Sequence, residues 1–174
     1  MAAEFPGKRF AIIDAEVDQP NVASLVFREH EGSFLVGAIA GLTSKTGTVG
    51  FIGGMEIPLI HKFEVGYTEG VKHVRPDAEV LVAYAGSGPQ AFSDPVKGKS
   101  LALSQFDRGA DVIFQAAGST GNGVIDAAQE RGLFAIGVDA NQNYMAPGHV
   151  LTSMLKRVDV SVYQIIKDVV GGGF

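Results

Sequence analysis

Short runs of apolar residues alternate along this chain with longer segments whose apolar positions recur at helical spacing, and Gly, Asp or Asn marks most changeovers. The first run, Phe10-Ala-Ile-Ile-Asp14, ends in a carboxylate. Residues 24–42 follow with helical character, and the Gly37-x-x-x-Gly41 pair within them would let another element pack close. A second strand is predicted over 48–52, closed by Gly53-Gly54, and a helix over 57–74 with Pro58 in its first turn. The pattern then predicts strands over 79–84, 111–115, 133–139 and 150–154. Helices are predicted over 95–108, 123–130 and 159–169.

Strands that are apolar throughout and separated by helices indicate a parallel sheet covered on both faces. With right-handed crossovers this is an α/β fold, a doubly wound, mostly parallel sheet flanked by helices. Ligands of such folds sit outside the carboxyl ends of the strands. That edge here carries Asp14, Gly53-Gly54 and the loops 86–94, 117–123 and 139–143, rich in Gly, Asp, Asn, Ser and Thr.

With 174 residues, 46% apolar and 19% charged, the chain has enough material for one domain with a proper core. Its 23 glycines, against a usual share of about 7%, indicate many tight turns and close backbone approaches. A formal net charge of −5 argues against nucleic acid as a partner. The lack of cysteine excludes a disulfide scaffold, a thiolate metal site and a cysteine nucleophile. His30, His61, His73 and His149 share no ligand spacing, so no metal is expected. The longest apolar stretch, 32–42, is far short of the roughly 20 residues of a membrane span, and the first ten residues hold no apolar signal-peptide core.

The chemical motifs are few. Gly86-Ser-Gly-Pro-Gln-Ala91 fits a dinucleotide-binding pattern, but Pro89 removes an N–H and no acid closes a second strand about 20 residues on. Gly98-Lys99-Ser100 ends like a phosphate loop, yet Ser93 stands where its first glycine belongs, which favours a solvated helix start. Gly118-Ser-Thr-Gly-Asn-Gly123 reads as a turn needing positive φ with Thr120 or Asn122 as helix cap, and equally as a ligand-facing helix start. Asp139 is either an acceptor for vicinal sugar hydroxyls or an Asx turn. Phe92, in a polar loop, can stack on a flat ligand or staple the following helix. Lys156 and Arg157 read by default as surface charge. Nothing assembles a nucleophile, a base and an orienting acid, so the chain reads as a binder without a cofactor rather than an enzyme. An NAD-dependent α/β enzyme, a sugar-binding receptor and a regulatory sensor are the alternatives.

Several blocks together resemble the basic membrane protein family of substrate-binding lipoproteins, of the PnrA-like purine nucleoside receptor type. They are residues 21–37, Gly50-Phe-Ile-Gly-Gly-Met55, Phe63-Glu-Val-Gly-Tyr-Thr-Glu-Gly70, Phe92-Ser-Asp-Pro-Val-Lys-Gly98, residues 111–118, Ile136-Gly-Val-Asp139 and Leu151-Thr-Ser-Met-Leu-Lys-Arg157. The resemblance implies a type I periplasmic binding protein lobe that serves an ABC importer, with a purine nucleoside as ligand and an ABC permease as partner of the full-length protein. It also implies a lipid-anchored location in the periplasm or at the cell surface when full-length. By the same resemblance Phe92 stacks on the base, Gly118 admits the ligand to the backbone, Asp139 accepts from the ribose hydroxyls and Lys156 makes a polar contact on the base side. Residues 1–23 are expected to be the last strand and hinge of a missing N-terminal lobe, and 24–174 the C-terminal ligand-binding lobe, about half of an interlobe cleft.

Overall fold

The apolar runs become strands that pair in parallel within each of two sheets. The computed structural model describes residues 1–174 and divides into two units, one formed by Met1–Arg28 with Lys156–Phe174 and the other by Glu29–Leu155. The first unit opens with β1 (Phe10–Ile13) and β2 (Val22–Leu25), paired in parallel from Phe10↔Val22 to Ile13↔Leu25.

The second unit runs through α1 (Glu29–Thr43), β3 (Thr48–Met55), α2 (Pro58–Val74), β4 (Glu79–Gly86), α3 (Pro95–Asp107), β5 (Val112–Ala116), α4 (Thr120–Arg131), β6 (Phe134–Asp139) and β7 (Val150–Leu155). Its five strands form one parallel sheet in the order β4-β3-β5-β6-β7. The last helix, α5 (Val158–Val170), belongs to the first unit.

Alternation along the central strands divides the core of the larger unit into two layers. Val49, Phe51, Val112 and Phe114 meet Phe63, Tyr67 and Val71 of α2 on one face. Ile52 and Ile113 meet Ala102 and Phe106 of α3 and Ile125 and Ala128 of α4 on the other. Every residue of β5 is buried, as a strand covered on both faces must be.

The helices of each layer pack at backbone distance because glycines face their neighbours. A Cβ on Gly37 would lie 3.0 Å from the Tyr67 Cα and closer still to its carbonyl oxygen, and one on Gly70 would run into the Phe34 carbonyl. In the other layer Gly98 of α3 faces the Thr120 carbonyl and Gly123 of α4 faces the Pro95 carbonyl. The Gly98-Lys99-Ser100 sequence is therefore helix packing rather than a phosphate cradle, and Lys99 pairs with Glu130 at 2.6 Å.

Several boundaries differ from the sequence pattern. Residues 22–25 form strand β2, and the helix read from residue 24 begins at Glu29, because β2 exists through its pairing with β1, a contact no local pattern encodes. The β3 strand runs through Gly53-Gly54 to Met55, with Gly53 against the Tyr84 ring and Gly54 against the Phe92 ring. These glycines make room inside a strand instead of ending it. The α5 helix groups with β1 and β2, so that the compact units divide at 28/29 and 155/156.

Adding one methyl at a close helix contact tests this packing. Gly37→Ala is expected to lower stability by about 1–3 kcal/mol, because backbone atoms cannot rotate out of the way. A lowered urea midpoint measures it, and an unchanged midpoint would contradict the close approach.

Candidate functional site

Parallel strands end together, so the loops after β3, β4, β5 and β6 share one edge of the larger unit. The loop after β4 forms a single 3-10 turn, Pro89–Phe92, starting from Gly88. The Gly86–Ala91 sequence thus opens one short turn and not the long helix that would hold a pyrophosphate. At the end of this turn the Phe92 ring is half-buried, packed on the aromatic core layer and lying against Gly54.

The start of α4 fastens this loop. Both the Ser119 amide and its hydroxyl donate to the Phe92 carbonyl, at 2.9 and 3.1 Å. Buried Thr120 donates from Oγ1 to the Ala91 carbonyl and accepts from the Asp94 amide, each at 2.8 Å. The helix begins at Thr120 rather than at residue 123, and Thr120 serves the neighbouring loop instead of capping its own helix. Asp94 caps α3, accepting from the Lys97 amide at 2.9 Å.

Gly118 sits beside Phe92 with φ +56°, and a Cβ there would lie 2.8 Å from the Phe92 carbonyl oxygen. Both the left-handed backbone and the space demand glycine. The structure therefore brings Phe92 and Gly118 into contact.

Asp139 closes β6 on the same edge, exposed, in a tight turn where the Ala140 amide donates to the Val138 carbonyl at 2.7 Å. Its φ of +65° is rare for a residue with a side chain. The Asx turn of this loop is formed by Asn141, which accepts from the Asn143 amide at 3.0 Å. Beneath it Gln142 Oε1 accepts from Gln115 Nε2 at 2.8 Å and from the Val138 amide at 2.9 Å, and the Gln142 amide donates to Ser153 Oγ at 3.1 Å. This polar bridge ties the ends of β5, β6 and β7 together. In the sequence Gln115 carries no motif, and its only signal is a polar residue inside an apolar strand.

Lys156 directly follows Leu155, the register partner of Asp139. It is not a solvated surface charge. Only 8% exposed, it belongs to the first unit, where its ammonium pairs with Asp14 and lies 4.9 Å from the centre of the Phe27 ring. A buried ammonium needs such partners to offset desolvation. Asp14 ends β1 with φ +65°, the same backbone conformation as Asp139.

At the β3–β4 side of the edge in the larger unit, the Tyr84 hydroxyl donates to Glu64, while His61 Nδ1 lies 3.2 Å from Glu64 and 3.3 Å from Tyr84. Burial, reinforced by the bond to Glu64, pushes the Tyr84 hydroxyl above the ordinary tyrosine range. Burial also raises Tyr67, with the charge of Asp111 adding to it.

A family model described as ABC transporter substrate-binding protein PnrA-like matches residues 1–174. A CD4+ T-cell-stimulating antigen of Listeria monocytogenes is 41% identical over 188 aligned positions, which cover 97% of this chain and 51% of the relative. The ABC transporter nucleoside-binding protein BmpA of Lactococcus lactis is 36% identical over 187 positions, covering 97% and 52%. The crystal structure of an ABC transporter system solute-binding protein from Aeropyrum pernix matches with a TM-score of 0.90 and 38% identity, covering 99% of this chain and 51% of that one. The chain spans about half the length of these relatives.

Two outcomes are expected from the site's local chemistry. Thr120→Val leaves the Ala91 carbonyl and the Asp94 amide without their partner and is expected to cost about 1–3 kcal/mol, read by urea denaturation; a neutral result would mean the Phe92 loop is held otherwise. A tyrosine whose folded value is raised stabilises the fold below the unfolded value near pH 10, and that contribution is lost as pH rises through the folded value. Absorbance titrations of the folded wild type, Tyr84→Phe and Tyr67→Phe are therefore expected to superimpose up to about pH 11. The loss of one ionisation near pH 10 in either variant would contradict the shifts.

Proposed function

This chain belongs to the PnrA-like family of ABC transporter substrate-binding proteins, and from that premise we propose that its carboxyl edge forms one wall of a purine nucleoside site. The family consists of transporter receptors and not of enzymes, which sets aside the dinucleotide-enzyme alternative. The observation that carries the proposal is the grouping of an aromatic ring, a glycine backbone and a carboxylate on one edge of one sheet. Phe92 rests on Gly54 and touches Gly118, and Asp139 ends the strand next to the one that leads into Gly118.

In this reading Phe92 stacks on one face of the base, worth about 1–3 kcal/mol by comparison with other base–aromatic contacts. Gly118 lets the ligand approach the backbone, since no side chain stands there. Asp139 accepts from the vicinal hydroxyls of the ribose; a hydrogen bond to a charged acceptor contributes about 1.5–3 kcal/mol. Lys156 makes a polar contact to the base. Support for the nucleoside class comes from the relative in Lactococcus lactis, which bears that function in its name.

The other wall is proposed to come from the portion of the longer relatives that this chain does not match. The outer edges of the two-stranded β1–β2 sheet support this, because further strands can extend them. Residues 1–23 then act as the last strand and hinge of that lobe. Two-lobed receptors close about such hinges and bury ligand from both sides. The full-length protein would deliver its nucleoside to an ABC permease from a lipid-anchored position outside the membrane. No helix of this chain is long and apolar enough to cross a membrane.

Calorimetry with inosine, adenosine, guanosine and ribose tests the assignment. In a full-length protein carrying this sequence, Phe92→Ala and Asp139→Ala are each expected to weaken purine nucleoside binding at least about tenfold. The 174-residue chain alone is expected to bind weakly, because half a cleft leaves one face of the base in water. Wild-type affinity in either variant would remove that residue from the site, and ribose binding as tight as nucleoside binding would favour a sugar receptor.

A further inference from the structure

The strands β5 and β6 separate before either of them ends. Their pairing stops at Phe114↔Ile136. Beyond that point β5 continues on β3 as far as Gly53↔Ala116, and β6 continues on β7 as far as Asp139↔Leu155. The gap opens at the carboxyl edge, between the loops of Gly118 and Asp139. The Phe134 amide donates to the Asp111 carbonyl on the β5 side, and the Ala135 amide to the His149 carbonyl on the β7 side. Amides along a strand alternate between its two neighbours, so the Val138 amide also faces β5, beyond the last paired residues. A backbone amide inside a fold requires an acceptor, and the departing strand does not bring one.

Two glutamines fill this gap. Gln142 Oε1 accepts from the Val138 amide at 2.9 Å and from Gln115 Nε2 at 2.8 Å, two donors on one oxygen. The other end of the buried Gln115 amide accepts from the Ala117 amide at 3.2 Å. Glycines make the room: a Cβ on Gly121 would run into Gln115 Oε1, and one on Gly137 would lie 2.9 Å from Gln142 Oε1. Side-chain amides thus replace the strand ladder where the strands diverge.

Asp139 is the central residue of a three-residue turn above this gap, closed by the Ala140 amide on the Val138 carbonyl. With its φ of +65° this is the rare, strained form of the γ-turn. Val138 is therefore held at both polar groups, its carbonyl by Ala140 and its amide by Gln142, which reaches back across the turn. Gln142 is itself anchored, since its own amide donates to Ser153 Oγ of β7. Phe92 is held by a different set, the Ser119 and Thr120 bonds at the start of α4.

Resting on the reading of Asp139 as the acceptor for the ribose hydroxyls, we propose that Gln142 is a positioning residue for that carboxylate. It acts through Val138, fixing the residue before Asp139 and so the direction in which the turn presents its side chain. The base side of the site does not depend on it. The feature in the sequence is the spacing Asp139-x-x-Gln142 after a buried strand that carries Gln115.

Calorimetry of a full-length protein carrying this sequence, with inosine and 2′,3′-dideoxyinosine, tests the proposal, because the two ligands share a base and differ only in the hydroxyls. The wild type is expected to bind inosine at least about tenfold more tightly than the dideoxy ligand. Gln142→Met is expected to shrink that ratio at least about threefold through weaker inosine binding alone. In an Asp139→Ala background the same change is expected to alter neither affinity. Gln142→Asn, too short to reach both donors, is expected to give the same loss and serves if the methionine variant does not fold. Wild-type inosine binding by Asp139→Ala, or equal wild-type affinity for the two ligands, overturns the ribose reading and this proposal with it. Where that reading survives, an unchanged ratio in the Gln142 variants overturns the positioning role alone. So does a loss equal for both ligands, or one undiminished in the Asp139→Ala background.

Discussion

The common direction of five strands is the constraint from which everything else in the larger unit follows. Parallel pairing cannot be closed by tight hairpins, so each strand must return through a helix, and all carboxyl ends finish on one edge. The register β4-β3-β5-β6-β7 then sets the loops that carry Phe92, Gly118 and Asp139 along that edge, although 47 residues of chain separate the first from the last. No single motif brings them together.

Much of this was legible because parallel strands buried on both faces leave unbroken apolar runs. Those runs gave six of the seven strands close to their true limits, and the edge loops with them. The unread parts depend on partners distant in the chain. Residues 22–25 become a strand only by pairing with β1, and Gly53-Gly54 stays within β3 because the rings of Tyr84 and Phe92 occupy the space a side chain would take. Lys156 looked solvated because its partners, Asp14 and Phe27, lie more than a hundred residues earlier. Thr120 looked like a cap because its true acceptor, the Ala91 carbonyl, belongs to a different loop.

Two aspartates carry a strained backbone. Asp14 and Asp139 both sit at φ +65° at the carboxyl end of a parallel strand, one in each unit. The left-handed region costs an ordinary L-residue about 1–2 kcal/mol, and a short polar side chain tolerates it best. Glycine would fit either turn without that cost. Beside Asp139 the Gln115–Gln142 bridge holds the turn, with Gln142 Oε1 also accepting from the Val138 amide.

The most direct measurement is a crystal structure of a full-length protein carrying this sequence, grown with saturating inosine. The account predicts purine density flat against the Phe92 ring, with the ribose 2′- and 3′-hydroxyls within hydrogen-bonding distance of the Asp139 carboxylate. Density for the nucleoside on another edge of the sheet, or a base lying away from residue 92, would contradict it.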